Sequence, residues 1–142
     1  MTVQVFVSYR RDDSKWAAGR LGQRLDERFK LFMDDDENRG ADDFTTVLRK
    51  ALDKADVLLA VIGRQWLTLT AANGGRRIDQ PGDWVAEEIG TALRRGTPVI
   101  PVLIDRAKMP SRGKLPPALA DLANRQALSD LMTELASGHR GL

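Results

Sequence analysis

An aromatic residue and a carboxylate, Trp84 and Glu88, lie four positions apart in a segment with helical periodicity. Side chains with this spacing meet on one side of a helix, one turn apart. The neighbouring apolar positions form the stripe of a helix packed against a sheet: Val85, Ile89, Ala92 and Leu93. This pattern places Glu88 at the border between core and cleft. The carboxylate is either a catalytic group or an ordinary edge-of-core acid, and the spacing fits both.

Other candidate ligand-binding residues follow the predicted strands. Arg10 and Arg11 come directly after the first strand, and Asp34 comes after the second. The carboxyl ends of parallel strands meet at one edge of a sheet, and open α/β sheets bind their ligands there. Beside a helix start, the two arginines can hold a diphosphate. Two arginines in a loop are, however, also the ordinary sign of solvent exposure.

Composition excludes several classes of function. The 142 residues are sufficient for one domain with a full core. They include no cysteine, which excludes disulfide scaffolds, zinc knuckles and thiol nucleophiles. The single histidine, His139, lies near the carboxyl terminus, so neither Ser-His-Asp catalysis nor a histidine metal site is expected. The acid-rich residues 34–43 begin like a calcium loop, but Arg39 and Thr45 stand where that loop needs glycine and glutamate.

Charge and hydropathy narrow the expected partners and location. The net charge is +2, and the arginine pairs are scattered along the chain, so nucleic acid is not an expected partner. The longest apolar runs have the length of strands, and no signal peptide is recognisable. These features predict a cytoplasmic protein that does not bind a membrane.

Short apolar runs alternate with helical periodicities, which is typical of a parallel sheet covered by helices on both faces. Strands are predicted at residues 3–8, 31–33, 57–62 and 99–104, with a brief fifth strand at 126–128. Helices are predicted at residues 14–29, capped by Ser14, at about 43–55, at 84–95, and from 118 onward. Asp83 caps the third helix and Gly96 closes it. Pro101 lacks an amide donor, which fits a strand near a sheet edge.

Five segments, in this order, resemble a bacterial Toll/interleukin-receptor (TIR) domain: residues 5–10, 31–34, 56–63 with Trp66, 83–89 and 99–103. The resemblance covers residues 3–128, and an ordered set of segments is more specific than any single motif. It implies an α/β flavodoxin-like three-layer sandwich with a five-stranded parallel sheet in the order 2-1-3-4-5 and helices on both faces. The whole chain, 1–142, is then one TIR domain, with a C-terminal helix or tail at 129–142.

The resemblance also implies an activity. Many members of this family hydrolyse NAD+, and the Trp-x-x-x-Glu spacing marks their catalytic carboxylate, which corresponds here to Glu88. NAD+ is then the substrate, no resident cofactor or metal is needed, and the product is ADP-ribose or a cyclic isomer. The implied substrate-binding residues are Tyr9, Arg10, Arg11, Asp34, Phe44 and Trp84. For Trp84, packing in the core is an alternative at least as strong as stacking on a substrate ring.

Self-association is the second property that the resemblance implies. The acid-rich loop 34–43 is the expected contact, and its charge suits a basic neighbour such as Arg76-Arg77 or Arg94-Arg95. This loop departs from the family pattern of a hydrophobic residue, a proline and a glycine, because it reads Asn38-Arg39-Gly40-Ala41. The expected setting is bacterial immunity or an effector role. One alternative is a non-catalytic module that recruits other TIR domains, and another is a domain that binds a nucleotide without turnover.

Overall fold

A four-stranded parallel sheet forms the centre of the molecule. The computed structural model describes residues 2–35 and 42–128, with the side chains of residues 35 and 42–45 excepted. The strands are β1 (Gln4–Tyr9), β2 (Lys30–Asp35), β3 (Val57–Ile62) and β4 (Val99–Leu103), and they lie in the order β2-β1-β3-β4. All three pairings are parallel. This confirms the predicted flavodoxin-like α/β fold.

In the part of the chain that the structure describes, three α-helices connect or follow the strands: α1 (Arg11–Leu25), α2 (Asp42–Lys54) and α3 (Trp84–Arg95). Short 3-10 helices occupy Arg77–Asp79, Arg112–Lys114 and Pro117–Asn124. None of the helices within residues 2–35 and 42–128 has the length and apolar character needed to cross a bilayer.

Successive side chains of a strand point to opposite faces of the sheet, and the core is divided accordingly. Phe6 and Leu58 face the layer that contains α2, α3 and the last 3-10 helix. Val7 and Leu59 face α1 on the other side. The consecutive buried residues of β1 and β3 are therefore explained by helices that cover both faces.

The structure corrects several predicted boundaries. Ser14 does not cap α1 but lies inside it, with φ −148° and ψ 24°, where the helix is kinked. The helix ends at Leu25 instead of Phe29, and the final helix is a 3-10 helix. The predicted fifth strand is reduced to one parallel bridge between Leu128 and Val102, next to β4. Because β4 is the last strand of the described sheet, Pro101 lies at an edge, as predicted.

Helix α3 begins and ends at the predicted residues because both ends carry local signals. The Asp83 carboxylate accepts a hydrogen bond from the Ala86 amide at 3.0 Å, and such a cap stabilises a helix by about 1 kcal/mol. Gly96 has a φ of 78°, a left-handed conformation that glycine adopts without steric cost. Val85 and Ile89 are fully buried and fix the rotation of the helix on the sheet. This rotation turns Glu88 inward.

Candidate functional site

Three polar side chains meet beneath α3 at the carboxyl edge of the sheet: Ser8, Asp34 and Glu88. Ser8 in β1 is the register partner of Asp34 in β2. Two residues earlier in the same strands, Phe6 and Phe32 stack with their ring centroids 5.2 Å apart. Since side chains repeat every second residue, Ser8 and Asp34 share the face of the phenylalanines, which is the face that α3 covers.

All three polar side chains are removed from solvent, with exposures of 0% for Ser8, 1% for Asp34 and 0% for Glu88. Neither oxygen of the Glu88 carboxyl has a hydrogen-bond partner of good geometry among the residues that the structure describes. No cation in that part of the chain pairs with it. A buried carboxyl with so little compensation is uncommon in a core, and it marks a position with a possible functional role.

Burial is the main cause that raises the pKa of Glu88 well above its ordinary value, and the neighbouring Asp34 carboxyl raises it further. The Ser8 hydroxyl acts in the opposite direction, and the more distant Asp83 adds to the increase. The protonated acid is therefore the favoured form of Glu88. As a neutral acid it can donate a hydrogen bond to Asp34, so that two adjacent carboxyls need not both be ionised.

A cleft of about 150 Å³ lies between α2 and α3, and Trp84, Glu88 and Leu48 are among its lining residues. Glu88 forms its inner end and has no exposed surface, whereas Trp84 is half-buried and also packs against the core. Arg95 of α3 pairs with Asp53 of α2 at the edge of this cleft. Packing and cleft lining thus coexist at Trp84, in agreement with the alternatives left open by the sequence.

Arg10 is fully buried, contrary to both roles considered for it, solvent exposure and diphosphate binding. Its guanidinium forms a bidentate pair with Asp83, with N–O distances of 2.9 and 2.8 Å, and its Nε donates to the Trp66 carbonyl at 3.2 Å. The guanidinium also lies 6.0 Å from the centroid of the Trp66 ring. This arrangement leaves Arg10 no access to a bound diphosphate.

The Arg10–Asp83 pair joins the end of β1 to the start of α3. The Asp83 carboxylate also accepts a hydrogen bond from the Ala86 amide, and this cap fixes the first turn of the same helix. Glu88 lies about one turn further along. The pair is therefore a positioning device for the helix that carries Glu88, and not a ligand site.

The other predicted residues are distributed around this site. Tyr9 packs with the α1 side of the core, opposite the face of Glu88, so stacking on a ring held beside Glu88 is not expected. Arg11 is exposed at the start of α1. The side chain of Phe44 lies outside the described residues, as do the loop 36–41 and the segment 129–142. Of the predicted set, the structure brings together Asp34, Trp84 and Glu88.

Sequence reasoning assigned Ser8 and Trp66 no role in the site. Ser8 carried a usable signal, because it follows Phe6 by two positions and so had to face the same helix layer. Trp66 carried none, since its burial and its contact with Arg10, 56 positions away, depend on how the chain between them folds. Asp83 was recognised as a helix cap, but its pairing with a residue 73 positions away was not.

Comparisons with known proteins complete the description of the site. Among solved structures, the chain is similar to the TIR domains in the structure of the activated Roq1 resistosome that directly recognises the pathogen effector XopQ. The TM-score is 0.64 at 18% identity, covering 96% of each chain, which shows a shared fold. A search of curated proteins found no significant match. The family model described as TIR domain matches residues 5–134. The chain belongs to the TIR domain family.

Proposed function

We propose that this TIR domain cleaves the bond between nicotinamide and ribose in NAD+, with Glu88 as the catalytic carboxylate. The observation that carries the proposal is the complete burial of Glu88 beside Ser8 and Asp34 at the carboxyl edge of the sheet. Open α/β sheets bind their ligands at this edge. A carboxyl with a strongly raised pKa next to a cleft is also a frequent sign of a functional site.

The substrate itself supplies the positive charge that is missing from the surroundings of Glu88. The nicotinamide ring of NAD+ is cationic, and a cation close to Glu88 lowers the pKa of its carboxyl and favours the ionised form. As the bond to nicotinamide breaks, positive charge develops on the ribose, and the adjacent carboxylate stabilises it. Nicotinamide leaves as a neutral amine, so no general acid is needed. Capture of the ribose by water gives ADP-ribose, and capture by the adenine gives a cyclic isomer.

Access to Glu88 requires a change of conformation. The cleft at Trp84 holds about 150 Å³, whereas small-molecule sites usually span roughly 300–1,000 Å³. The ribose can therefore reach Glu88 only after α2 and α3 separate or Trp84 moves. The exposed Arg95–Asp53 pair joins the two helices at the other end of the cleft, at the last turn of α3, and pairs of this kind are weak enough to exchange.

The remaining side chains have supporting roles in this proposal. Asp34 holds the proton of Glu88 in the resting site and accepts hydrogen bonds from ribose hydroxyls once the site opens. Trp84 stacks on a ring of the substrate from the cleft wall. Arg11, which is exposed near the carboxyl end of β1, is the arginine that we assign to the diphosphate. NAD+ as the substrate also supports a cytoplasmic location.

Release of nicotinamide from NAD+, measured by chromatography, tests the proposal. Glu88→Gln removes the charge and retains the shape, so we expect turnover to fall by at least a factor on the order of a hundred, the usual loss for one electrostatic stabiliser. Glu87→Gln, a matched change at the exposed neighbour, should leave turnover unchanged. Full activity in the Glu88 variant, or equal losses in both variants, would show that Glu88 has no catalytic role.

The closed cleft and the neutral Glu88 favour a second candidate, a non-catalytic module that associates with other TIR domains. The similar TIR domains belong to an assembled resistosome. The expected basic contacts for the acid-rich loop have partners within the chain, since Arg76 pairs with Asp79 and Arg77 with Asp12. Such exposed pairs can be exchanged for contacts with another copy.

Two measurements on the same samples separate the candidates. For the interaction module, sedimentation should show assembly that grows with protein concentration while no nicotinamide is released at any concentration. For the enzyme, nicotinamide release should accompany assembly. Binding of NAD+ without release at every protein concentration would contradict the enzymatic proposal and leave a nucleotide-binding domain. Either function fits a role in bacterial immunity or as an effector.

A further inference from the structure

A second and larger cleft lies beyond the carboxyl ends of β3 and β4, and none of Ser8, Asp34 and Glu88 lines it. Its volume is about 540 Å³, which falls within the range of small-molecule sites. The lining comes from residues 62–68, after β3, and from residues 106–114, after β4. It therefore occupies the same functional edge of the sheet as the candidate active site, but over different strands.

The charge of this second cleft has one sign. Its lining residues include four cations, Arg64, Arg106, Lys108 and Lys114, and no carboxylate. Within the described residues, the last three have no acidic partner, whereas Arg64 donates from Nε to the Asp105 carbonyl at 2.8 Å and lies 3.9 Å from an oxygen of the Asp105 carboxylate. Three like charges without an acidic partner around one concavity repel one another, and an anion bound between them would relieve this repulsion.

The backbone beside the cleft is strained at a cationic residue. Residues 104–107 form a turn closed by the Ala107 amide and the Ile104 carbonyl at 2.9 Å. Its two central residues, Asp105 and Arg106, have φ values of 53° and 61°. Glycine, asparagine and aspartate suit this conformation, but arginine does not. Because glycine would satisfy the turn better, the arginine at this position requires another explanation, and strain of this kind is concentrated at functional sites.

The cleft also has apolar and hydroxyl-bearing walls. Ile62 is buried, Leu67 and Met109 are half-buried, and Thr68 and Ser111 provide hydroxyls. We propose that this cleft binds a phosphorylated small molecule of mononucleotide size. Its phosphate contacts Arg106, Lys108 and Lys114, and its apolar body lies on Leu67 and Met109. The site is independent of NAD+ cleavage and stands whether or not Glu88 is catalytic.

Titration with AMP, followed by the backbone amide signals in NMR spectra, tests this site directly. We expect AMP to shift the signals of residues 64–68 and 106–114, and we expect adenosine, which lacks the phosphate, to leave them unchanged. Affinity should fall as salt is added, because the contacts are ionic. Shifts confined to Ser8, Trp84 and Glu88, or equal binding of adenosine, would overturn the proposal.

Charge-reversed variants provide the second arm. Lys108→Glu combined with Lys114→Glu should weaken AMP binding at least about tenfold, since two charge-assisted contacts are lost. Arg20→Glu combined with Arg28→Glu, which reverses two exposed and unpaired cations on and after α1, should have no such effect. If the first pair alters only the sedimentation of the protein and not AMP binding, the cleft is a protein contact and the ligand assignment is wrong.

Arg106→Gly separates the binding role from a structural role. Glycine relieves the left-handed strain, so the variant should have a higher melting temperature than the unmodified chain. It should also bind AMP more weakly, because one of the three phosphate contacts is lost. A variant that is more stable and binds AMP equally well would show that Arg106 serves no ligand and would overturn the proposal.

Discussion

Replacing Glu88 by glutamine should stabilise the fold at neutral and alkaline pH while it removes the charge that the proposed catalysis requires. Burial raises the pKa of Glu88 in the native state, so the native chain retains a proton that the unfolded chain loses above the ordinary pKa of the carboxyl. As pH rises through this interval, each pH unit costs the unmodified protein up to about 1.4 kcal/mol of folding free energy. Below the ordinary pKa both states are protonated, and this loss disappears. Glutamine does not titrate, so the variant does not lose folding free energy in this way.

The magnitude follows from this slope. Over the first pH unit of the interval the variant gains up to about 1.4 kcal/mol over the unmodified protein, which corresponds to roughly 3–5 °C in melting temperature for a chain of this size. Thermal melts of both proteins at a series of pH values, monitored by circular dichroism, measure the difference. Glu87→Gln is the matched control, because Glu87 is exposed and its replacement should give no pH-dependent gain. Parallel melting curves for the Glu88 variant and the unmodified protein across this range would refute a neutral, buried Glu88.

Three further predictions concern the same machinery. Arg10→Met leaves Asp83 buried without its partner, so the free energy of unfolding, measured by urea denaturation, should fall by about 3–5 kcal/mol. Arg10→Met combined with Asp83→Asn should recover much of this loss. A double variant no more stable than the single one would contradict the pairing. The value of kcat/KM should rise with pH towards a plateau above the raised pKa of Glu88. The value of kcat should rise at lower pH, because the bound cationic ring favours the carboxylate form. Coincident pH profiles would count against Glu88 as the catalytic carboxylate. Turnover per molecule should increase with protein concentration and fall with added salt if assembly through exposed charges activates the domain, whereas a constant value across both series would show that the monomer suffices.

The parts of the fold that were predicted correctly depend on local signals. Helix α3 has a capping aspartate, an apolar stripe and a terminal glycine, all of which can be read within 14 residues. Ser14 shows the limit of such signals, because a serine ahead of an apolar periodicity normally caps a helix. Here the preceding residues 11–13 already form a helical turn, and Ser14 became a kink inside the helix.

The site was predictable to a similar extent. Asp34 and Glu88 were identified because one ends a strand and the other borders an apolar stripe, and both properties are local. The burial of Arg10 was not predicted, because a guanidinium next to a second arginine has the pattern of a surface residue. Its burial depends on Asp83 and Trp66, which the chain brings close only after β3 and α3 pack. The fully closed state of Glu88 likewise depends on tertiary packing that no local pattern encodes.

The position of Ser8 in β1 makes the site sensitive to the length of the preceding strand. β1 is hydrogen-bonded on both sides, to β2 and to β3, and its residues are apolar on both faces. Insertion or deletion of one residue before Ser8 would exchange its face with that of Tyr9 or Val7, and the sheet could still form with apolar residues on each side. One of the two polar neighbours of Glu88 would then be lost from a chain that still folds. We therefore expect a chain with a shifted β1 to retain the TIR fold and the Trp-x-x-x-Glu spacing but to lose the hydroxyl that opposes the increase in the pKa of Glu88.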